Sequence, residues 1–466
     1  MLTKAVRRKG ESSPVALYED GPPGTEVGGV APTSGLEKVL LFTTIVALPA
    51  ENHFVFLPGF SLLFLLFSAT ALYVVLFRFS ELLQTVCHPV FLAAFLFLGY
   101  GFLMESTHDN ASYGELFRVA QMVVGAVLLA SICRDWPALK SACHGYLLAG
   151  LFLSALLFVT SYGALSQART ANFQEASELR VAAFENNPLD ANLNSMAFGA
   201  GQAAVVALAW ALAAHGSVHR SLYMIAGAIC MIGSFLPLSR GGVAITIAAC
   251  ASVMYAFGLR HGKPLLIAVL LGGAVLMWVP QSVWSRMSFT FEEREGKVEG
   301  RARVYGTAID HLPDYILTGV GAGNFWSAWG MKTALSTGGR VTGSHNCFIQ
   351  VTLYWGILGL LALLLIFWQA YRCIPRYSYR DAAALSLIGV AVSLGLYSMV
   401  IHSVYAKEFS LGLGLLAGGH RWIWPQGLVL RRSSDGQTPP DIELSTPLGG
   451  VGNGSADVAR RLASPF

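Results

Sequence analysis

A cluster of polar residues that could act on a hydroxyl group directly precedes a long apolar stretch. The segment Gly343–Leu361 has the sequence GSHNCFIQVTLYWGILGLL, and most of it is apolar enough to cross a membrane. Ser344 is a suitable N-cap, which would place His345 in the first helical turn. The helix dipole disfavours an imidazolium there, so a neutral His345 could accept a proton as a general base. Asn346 and Gln350 are predicted to form an i, i+4 polar pair, and a purely structural role for His345 is the alternative.

Arg240 lies in the sequence PLSRGGVAI, between two apolar stretches. One span is predicted to end near Pro237 and the next to begin at Gly241 or Gly242, and the two glycines permit a tight turn. A cation beside a helix N-terminus is unfavourable unless an anion binds there. Arg240 is therefore a candidate anion ligand, and the alternative is an arginine that extends to the membrane interface.

Within the longest predicted outer loop, the segment EGRARVYGTAIDHLP contains two further candidate arginines. Arg301 and Tyr305 stand at i and i+4, as do Val304 and Ala308, which predicts an amphipathic helix on the membrane surface. Arg303 points to another side, where a solvated charged face is the simpler interpretation. The sequence GVGAGNF that follows is similar to a phosphate-binding loop, but no βαβ unit precedes it. We interpret it as a turn that lets the loop re-enter.

These residues must be positioned by membrane-spanning helices. Charged residues make up only 12% of the 466 residues, whereas soluble domains contain about a quarter. The apolar stretches predict an all-α integral membrane protein with about twelve spans of roughly 20 residues each. They are predicted near residues 37–50, 57–77, 88–104, 116–132, 141–161, 193–213, 221–237, 242–258, 264–280, 346–370, 382–402 and 408–424.

Lysine and arginine predict the orientation of the spans, because these residues are enriched in short cytoplasmic loops. Most loop Lys and Arg residues fall on the side of the N-terminus, so we expect both termini to be cytoplasmic. The polar tails, residues 1–35 and 426–466, are predicted to be disordered around a membrane domain of residues 36–425. The long outer loops are then residues 162–192 and 281–345.

No motif predicts a metal, a cofactor or a nucleic-acid partner. The seven cysteines include no CxxC pair, and no HExxH sequence occurs. The net charge of +4 follows from the bias in the loops. We therefore expect no metal, no cofactor and no nucleic acid.

Three segments, in their order along the chain, resemble the O-antigen ligase and polymerase superfamily over roughly residues 160–365. They are SRGG, the GR…Y segment with GVGAGNF, and SHNCFIQVTLYWGILGLL. The resemblance implies a GT-C-like glycosyltransferase of the bacterial inner membrane with a large periplasmic loop. Such enzymes transfer a glycan from undecaprenyl pyrophosphate, without a metal and with inversion. It implies that His345 is the general base and that Arg240 and Arg301 bind the pyrophosphate.

The resemblance also implies supporting residues. Arg303 is the alternative to Arg301, because Tyr305 stands where the family usually has Trp. The segment NNPLDANLNSMAFGAG is similar to a weaker family feature with an asparagine near Asn192 or Asn194. Asn346 and Gln350 complete the candidate set.

The preferred acceptor is lipid A–core, which would make the chain an O-antigen ligase (a lipid A–core:surface polymer ligase), because one outer loop dominates. An O-antigen polymerase comes second and a protein O-oligosaccharyltransferase third. Outside this family, a transporter of polyprenyl-linked lipids is the alternative. Charges that cluster at the outer face rather than within the spans argue against ion-coupled transport.

Overall fold

The computed structural model describes most of the chain between residues 32 and 423. The described ranges are 32–50, 55–57, 60–167, 192–258, 300–337, 344–375, 381–400 and 407–423, with a few isolated positions between them. Nearly all of both predicted tails, the predicted span 264–280, most of the loop 162–192 and the first part of the loop 281–345 lie outside these residues.

The described chain is a succession of helices with one short sheet. The helices are α1 (Gly35–Ala47), α2 (Leu62–Phe77), α3 (Phe79–Val86), α4 (Pro89–Ser106), α5 (Gly114–Ile132), α6 (Trp136–Gln167), α7 (Leu193–Ala213), α8 (Ser217–Phe235), α9 (Arg240–Phe257), α10 (Gly300–Tyr315), α11 (Phe325–Thr337), α12 (Cys347–Arg372), α13 (Ala382–Ser398) and α14 (Lys407–Gly418). A 3-10 turn (Leu48–Ala50) follows α1, and a π turn (Gly419–Ile423) follows α14. Strands β1 (Val55–Leu57) and β2 (Phe60–Ser61) pair antiparallel, a small departure from the predicted all-α fold.

The apolar helices support an integral membrane protein. Among the described residues, seven helices are long and apolar enough to cross a membrane, or eight if the pair α2 and α3, bent by 105°, forms one span. The twelve predicted spans are not all matched at that length, because α1 has 13 residues, α13 has 17 and α14 has 12. Multiple spans through a membrane are thus supported, and their exact number stays a prediction.

Helix α7 lies at the centre of a group formed with α6, α8, α9 and α13. In the apolar 18-residue stretch of this helix, 72% of the residues are buried, because small residues let the neighbouring helices approach closely. A Cβ atom on Gly201 would overlap Thr246 of α9. Helix contacts in membranes commonly depend on such small residues, since apolar lipid leaves close packing as a main source of attraction.

A buried network of charges joins α1, the α2–α3 corner and the end of α5. The carboxylate of Glu37 accepts hydrogen bonds from Arg134 Nη2 at 2.9 and 3.0 Å and from Arg78 Nε at 2.8 Å. Arg134 Nη1 also lies 3.3 Å from Glu81 Oε1. The side chains of Glu37 and Arg134 are 0% exposed. We call Glu37, Arg78, Glu81 and Arg134 the charge network.

Helix α12 is interrupted in its apolar part, at Trp355 and Gly356. Gly356 has φ 69° and ψ −166°, a conformation that is essentially restricted to glycine. A break in a helix leaves backbone groups to be satisfied by other partners. The segment between α10 and α11 supplies these partners, because Val320 N–H donates to the Leu353 carbonyl at 2.8 Å and Ile357 N–H donates to the Ile316 carbonyl at 2.7 Å.

The docked segment is the glycine-rich stretch that we predicted to be a re-entrant turn. Gly319 and Gly321 have φ values of 72° and 76°, and a Cβ atom on Gly319 would overlap the Tyr354 backbone. Gly321 N–H donates to the Tyr354 carbonyl at 2.9 Å. The loop is therefore attached to the broken part of α12 by backbone hydrogen bonds, which agrees with the turn interpretation.

Candidate active site

Hydrogen bonds join the ends of five helices at one end of the bundle. They are the starts of α7, α9 and α12, the end of α13, and the first half of α10. The charge network lies at the opposite end, where α1 begins and α5 terminates. The predicted site residues described by the structure belong to the first of these ends, which we call the polar helix-end cluster.

Arg240 is the first residue of α9. Ser239 is the N-cap, and its hydroxyl accepts from Gly242 N–H at 3.2 Å and donates to Asn194 Oδ1 at 2.8 Å. The turn before the helix is made at Leu238, with φ 55°, so the prediction that the two glycines form the turn is wrong. Gly242 lies within α9 and allows close packing, since a Cβ atom there would come within 2.7 Å of Ala197 Cβ.

The two predicted asparagines lie at the start of α7 and make different hydrogen bonds. Asn192 is the N-cap of α7, with its side-chain oxygen 2.8 Å from Asn194 N. The Oδ1 atom of Asn194 accepts a hydrogen bond from the hydroxyl of Ser239. The next residue, Ser195, lies 3.0 Å from the hydroxyl of Tyr397 near the end of α13. The start of α7 therefore connects the Arg240 turn to α13.

The structure corrects the predicted start of α12. Asn346, not Ser344, is the N-cap, and its Oδ1 accepts from Phe348 N–H at 2.9 Å and Ile349 N–H at 3.1 Å. Asn346 is better placed because its extended backbone directs the amide toward the first turn. His345 therefore precedes the helix instead of lying in its first turn.

His345 has a φ of 52°, which is uncommon for a residue other than glycine, although histidine is among the enriched exceptions. This left-handed conformation costs about 1–3 kcal/mol and persists only where the surroundings enforce it. The side chain is half-buried, in contrast to the fully buried Ser344 beside it.

Asn346 and Gln350 have separate side-chain partners, so the predicted pair between them is also corrected. Asn346 Nδ2 donates to the Met399 carbonyl of α13 at 3.2 Å. Gln350 Oε1 lies 3.3 Å from Ser344 Oγ, and Gln350 Nε2 donates to the Tyr354 hydroxyl at 2.5 Å. Gln350 is buried below the cluster and supports the segment before α12.

Tyr305 connects the loop helix α10 to this cluster. Its hydroxyl lies 3.4 Å from the His345 carbonyl oxygen and 3.5 Å from the Met399 carbonyl oxygen. The predicted inward pair, Val304 and Ala308, is 2% exposed at each position. The backbone positions of Arg301 and Arg303 are in the first turn of α10, and their side chains lie outside the described residues.

Sequence patterns did not identify several residues that hold the cluster together. Ser195, Tyr397 and Met399 lie in or beside apolar spans and have no chemical motif around them. Glu105, near the end of α4, is 0% exposed. Its carboxylate accepts from the backbone N–H of Ala322 and from Trp355 Nε1 at 2.9 Å, so it fixes the re-entrant loop to the break in α12.

The caps change the expected anion chemistry of this end. Helix N-termini can bind anions through their N–H groups, but Ser239, Asn192 and Asn346 already accept from N–H groups of the first turns of α9, α7 and α12. An anion here would depend more on arginine side chains than the sequence suggested.

A separate group of possible metal ligands lies far from this cluster. Side-chain atoms of His88, Cys373 and His420 lie within 4.8 Å of one another. Burial, with the charges of His420 and Arg421, lowers the pKa of His88 to about 4, so that ring is neutral at neutral pH. Cys373 directly follows the last residue of α12, whereas His345 precedes the first residue of that interrupted helix.

Comparison with known protein families gives a match to one family. The family model described as O-antigen ligase matches residues 222–364, which include Arg240, Arg301, Tyr305 and His345 and extend from α8 into α12. The match does not reach Asn192 or Asn194. The chain has no significant match among curated proteins.

The matched family consists of glycosyltransferase-like enzymes, ligases and polymerases that use lipid-linked glycans. Among the described residues, the seven helices that are long and apolar enough to cross a membrane are consistent with a multi-pass membrane protein. The match over residues 222–364 supports an assignment of this region to the O-antigen ligase and polymerase superfamily.

Proposed function

We propose that this protein is an O-antigen ligase with a GT-C-like architecture of about twelve spans. It would transfer a glycan from undecaprenyl pyrophosphate to a sugar hydroxyl of lipid A–core. Its active site would be the polar helix-end cluster, on the periplasmic face of the bacterial inner membrane, with both termini in the cytoplasm. The observation that carries this proposal is the continuous set of contacts from the Arg240 turn to His345.

These contacts follow one path through the cluster. Ser239, beside Arg240, bonds Asn194, and the adjacent Ser195 bonds Tyr397 of α13. Two residues later, the Met399 carbonyl oxygen lies near both Asn346 and Tyr305, which flank His345. Hydrogen bonds that fix a base and a cation on separate helices support their action on one substrate, because catalysis depends on geometry held to within about 1 Å.

The proposed reaction is a single displacement at the anomeric carbon. His345 takes the proton of the acceptor hydroxyl, and the oxygen forms a bond to the anomeric carbon. The bond from that carbon to the pyrophosphate oxygen breaks, and the electron pair leaves with undecaprenyl pyrophosphate. Arg240 and Arg301 (or Arg303) stabilise the charge on the leaving group, and the configuration of the anomeric carbon is inverted. No metal or other cofactor enters this reaction.

The general base and the arginines would each contribute an amount that is typical of such groups. A positioned general base is worth about 10²–10⁴-fold in rate. A hydrogen bond from a charged arginine to a phosphate contributes about 1.5–3 kcal/mol. The left-handed backbone of His345 favours a role that requires a particular side-chain direction, since such strain often marks functional positions.

Transfer in vitro tests the proposal. Purified protein is mixed with undecaprenyl-pyrophosphate-linked glycan and lipid A–core, without nucleotide or added metal, and the joined product is measured. We expect His345→Ala and Arg240→Ala to lose at least about 10²-fold in rate. The matched controls are His219→Ala and Arg220→Ala, which change exposed residues of α8 and should retain the rate of the native protein.

The products separate the competing functions. Joined lipid A–core product with loss in His345→Ala supports a ligase, whereas full activity in His345→Ala rejects it as the base. Longer lipid-linked chains would instead identify a polymerase, and modified protein acceptors a protein O-oligosaccharyltransferase. Movement of the lipid-linked glycan across a vesicle membrane without any new glycosidic bond would identify a transporter.

A further inference from the structure

We propose that His88, Cys373 and His420 form a site for a thiolate-preferring transition-metal ion of the Zn²⁺ type. The site lies at the end of the bundle opposite the polar helix-end cluster. It does not depend on the proposed transfer reaction.

Three separate helices contribute the three ligands. His88 is the N-cap of α4, Cys373 is the C-cap of α12, and His420 lies in the π turn that follows α14. Because the residues are far apart in sequence, no spacing motif predicted a metal. A metal there would hold α4 and α14 to the helix that begins beside His345.

The distances suit a tetrahedral ion. His88 Nε2 and His420 Nδ1 are 3.1 Å apart. Two nitrogens bound to one tetrahedral Zn²⁺ at roughly 2.0–2.1 Å must be about 3.3 Å apart. All three ligand atoms lie within 4.8 Å of one another. The sulfur and nitrogen ligands of a tetrahedral Zn²⁺ are about 3.5 Å apart, so the Cys373 thiol would move toward the imidazoles when the ion binds.

The chemistry of the ligands selects the type of ion. Two imidazoles and one thiolate suit Zn²⁺ or Cu⁺ and disfavour Mg²⁺ or Ca²⁺, which require oxygen ligands. The buried Cys373 thiol is 3.2 Å from the Gln369 carbonyl oxygen, and a metal would displace its proton. His420 is exposed, which leaves space for a fourth ligand such as a water molecule.

Two features oppose binding and therefore limit the affinity. The positive charge of Arg372 acts on His420 and that of Arg421 acts on His88, and both disfavour a further cation. The negative charge of the Cys373 thiolate would offset one of the two positive charges that the metal ion adds. His88 Nδ1 also accepts from Val90 N–H at 3.4 Å. An imidazole that binds through Nε2 carries its proton on Nδ1, so metal binding would give up this long contact.

Spectroscopy with Co²⁺ as a probe for Zn²⁺ tests the site in the full-length protein. The purified protein, freed of metal and kept without oxygen in detergent, is titrated with Co²⁺. We expect one equivalent to give tetrahedral d–d bands and a thiolate-to-cobalt charge-transfer band, both removed by Zn²⁺. Zn²⁺ should also raise the thermal unfolding temperature of the native protein.

Variants assign the ligands. Cys373→Ser should lose the charge-transfer band, and His420→Ala, at an exposed position, should weaken Co²⁺ binding at least about ten-fold, since even outer partners of metal ligands are worth 10–100-fold. Cys87→Ser, beside His88, and Cys143→Ser should retain the spectrum. The proposal is overturned if the native protein gives no tetrahedral cobalt spectrum, or if the thiolate band survives in Cys373→Ser and disappears in Cys87→Ser.

Discussion

The charge network and the polar helix-end cluster both connect helix ends, but they do so with different kinds of polar groups. In the charge network, Glu37 and Arg134 are completely buried and bound directly to one another. In the helix-end cluster, the bonds that fix the segments around Arg240 and His345 join neutral hydroxyl, amide and carbonyl groups. Arg240 and His345 themselves are half-buried.

This difference indicates how polarity is used at the two ends. In the charge network, each buried charge is paired with an opposite charge, which offsets a desolvation cost of several kcal/mol. A candidate reactive residue, by contrast, can be positioned by hydrogen bonds that its neighbours in the chain make. The comparison therefore predicts that changes in the charge network reduce stability and that changes in the helix-end cluster reduce transfer.

The largest effect on stability is expected from Arg134→Met. This substitution leaves Glu37 buried beside Arg78 alone and should cost about 3–5 kcal/mol. The double variant Glu37→Leu/Arg134→Met should recover most of this loss, because neither buried charge remains. Thermal unfolding in detergent measures both variants. A single variant as stable as the native protein would show that the charge network does not hold α1 to α5.

A smaller loss is expected from Gly356→Ala, at the break in α12. The glycine-restricted conformation alone is worth about 1–3 kcal/mol, and the new Cβ atom would overlap the Leu317 carbonyl oxygen. We expect lower stability together with loss of transfer, because the re-entrant loop and Tyr305 belong to one segment. Limited proteolysis of the loop and the transfer assay measure the two effects.

Gly99→Ala is the matched control for this substitution. Gly99 is an exposed residue of α4 with nothing within 4 Å of an added Cβ atom, so alanine there should be neutral or slightly stabilising. If Gly356→Ala behaves like this control, the break does not anchor the loop.

The smallest change in stability is expected from Tyr305→Phe. Loss of one neutral hydrogen bond costs about 0.5–1.5 kcal/mol. The rate of transfer should fall by more than this loss of stability accounts for, up to about 10²-fold, because the hydroxyl would hold His345 in position. Tyr255→Phe, at a side chain that is 75% exposed, serves as the control in both unfolding and transfer assays. Equal rates for the two variants would remove Tyr305 from the positioning of His345.

Features that depend on neighbouring residues could be predicted from the sequence. Apolar length predicted the long apolar helices, seven or eight of which could cross a membrane among the described residues, and the glycine-rich stretch predicted a turn. It also selected the segments that contain Arg240, Tyr305 and His345, because polar residues at the ends of apolar helices are visible without coordinates. Its errors at Ser344 and Gly241 were local too, since two neighbouring polar or small residues compete for a cap or a turn and only the backbone conformation decides between them.

The tertiary structure decided which distant residues meet. Arg78 and Arg134 lie in no recognisable motif, and the fold places both against Glu37. Ser195, Tyr397 and Met399 had no recognisable pattern, and they connect the Arg240 turn to His345. His88, Cys373 and His420 had no ligand spacing, and they converge at the other end. The physical reason is that periodicity and capping depend on neighbours in sequence, whereas pairing and coordination depend on which helix ends pack together.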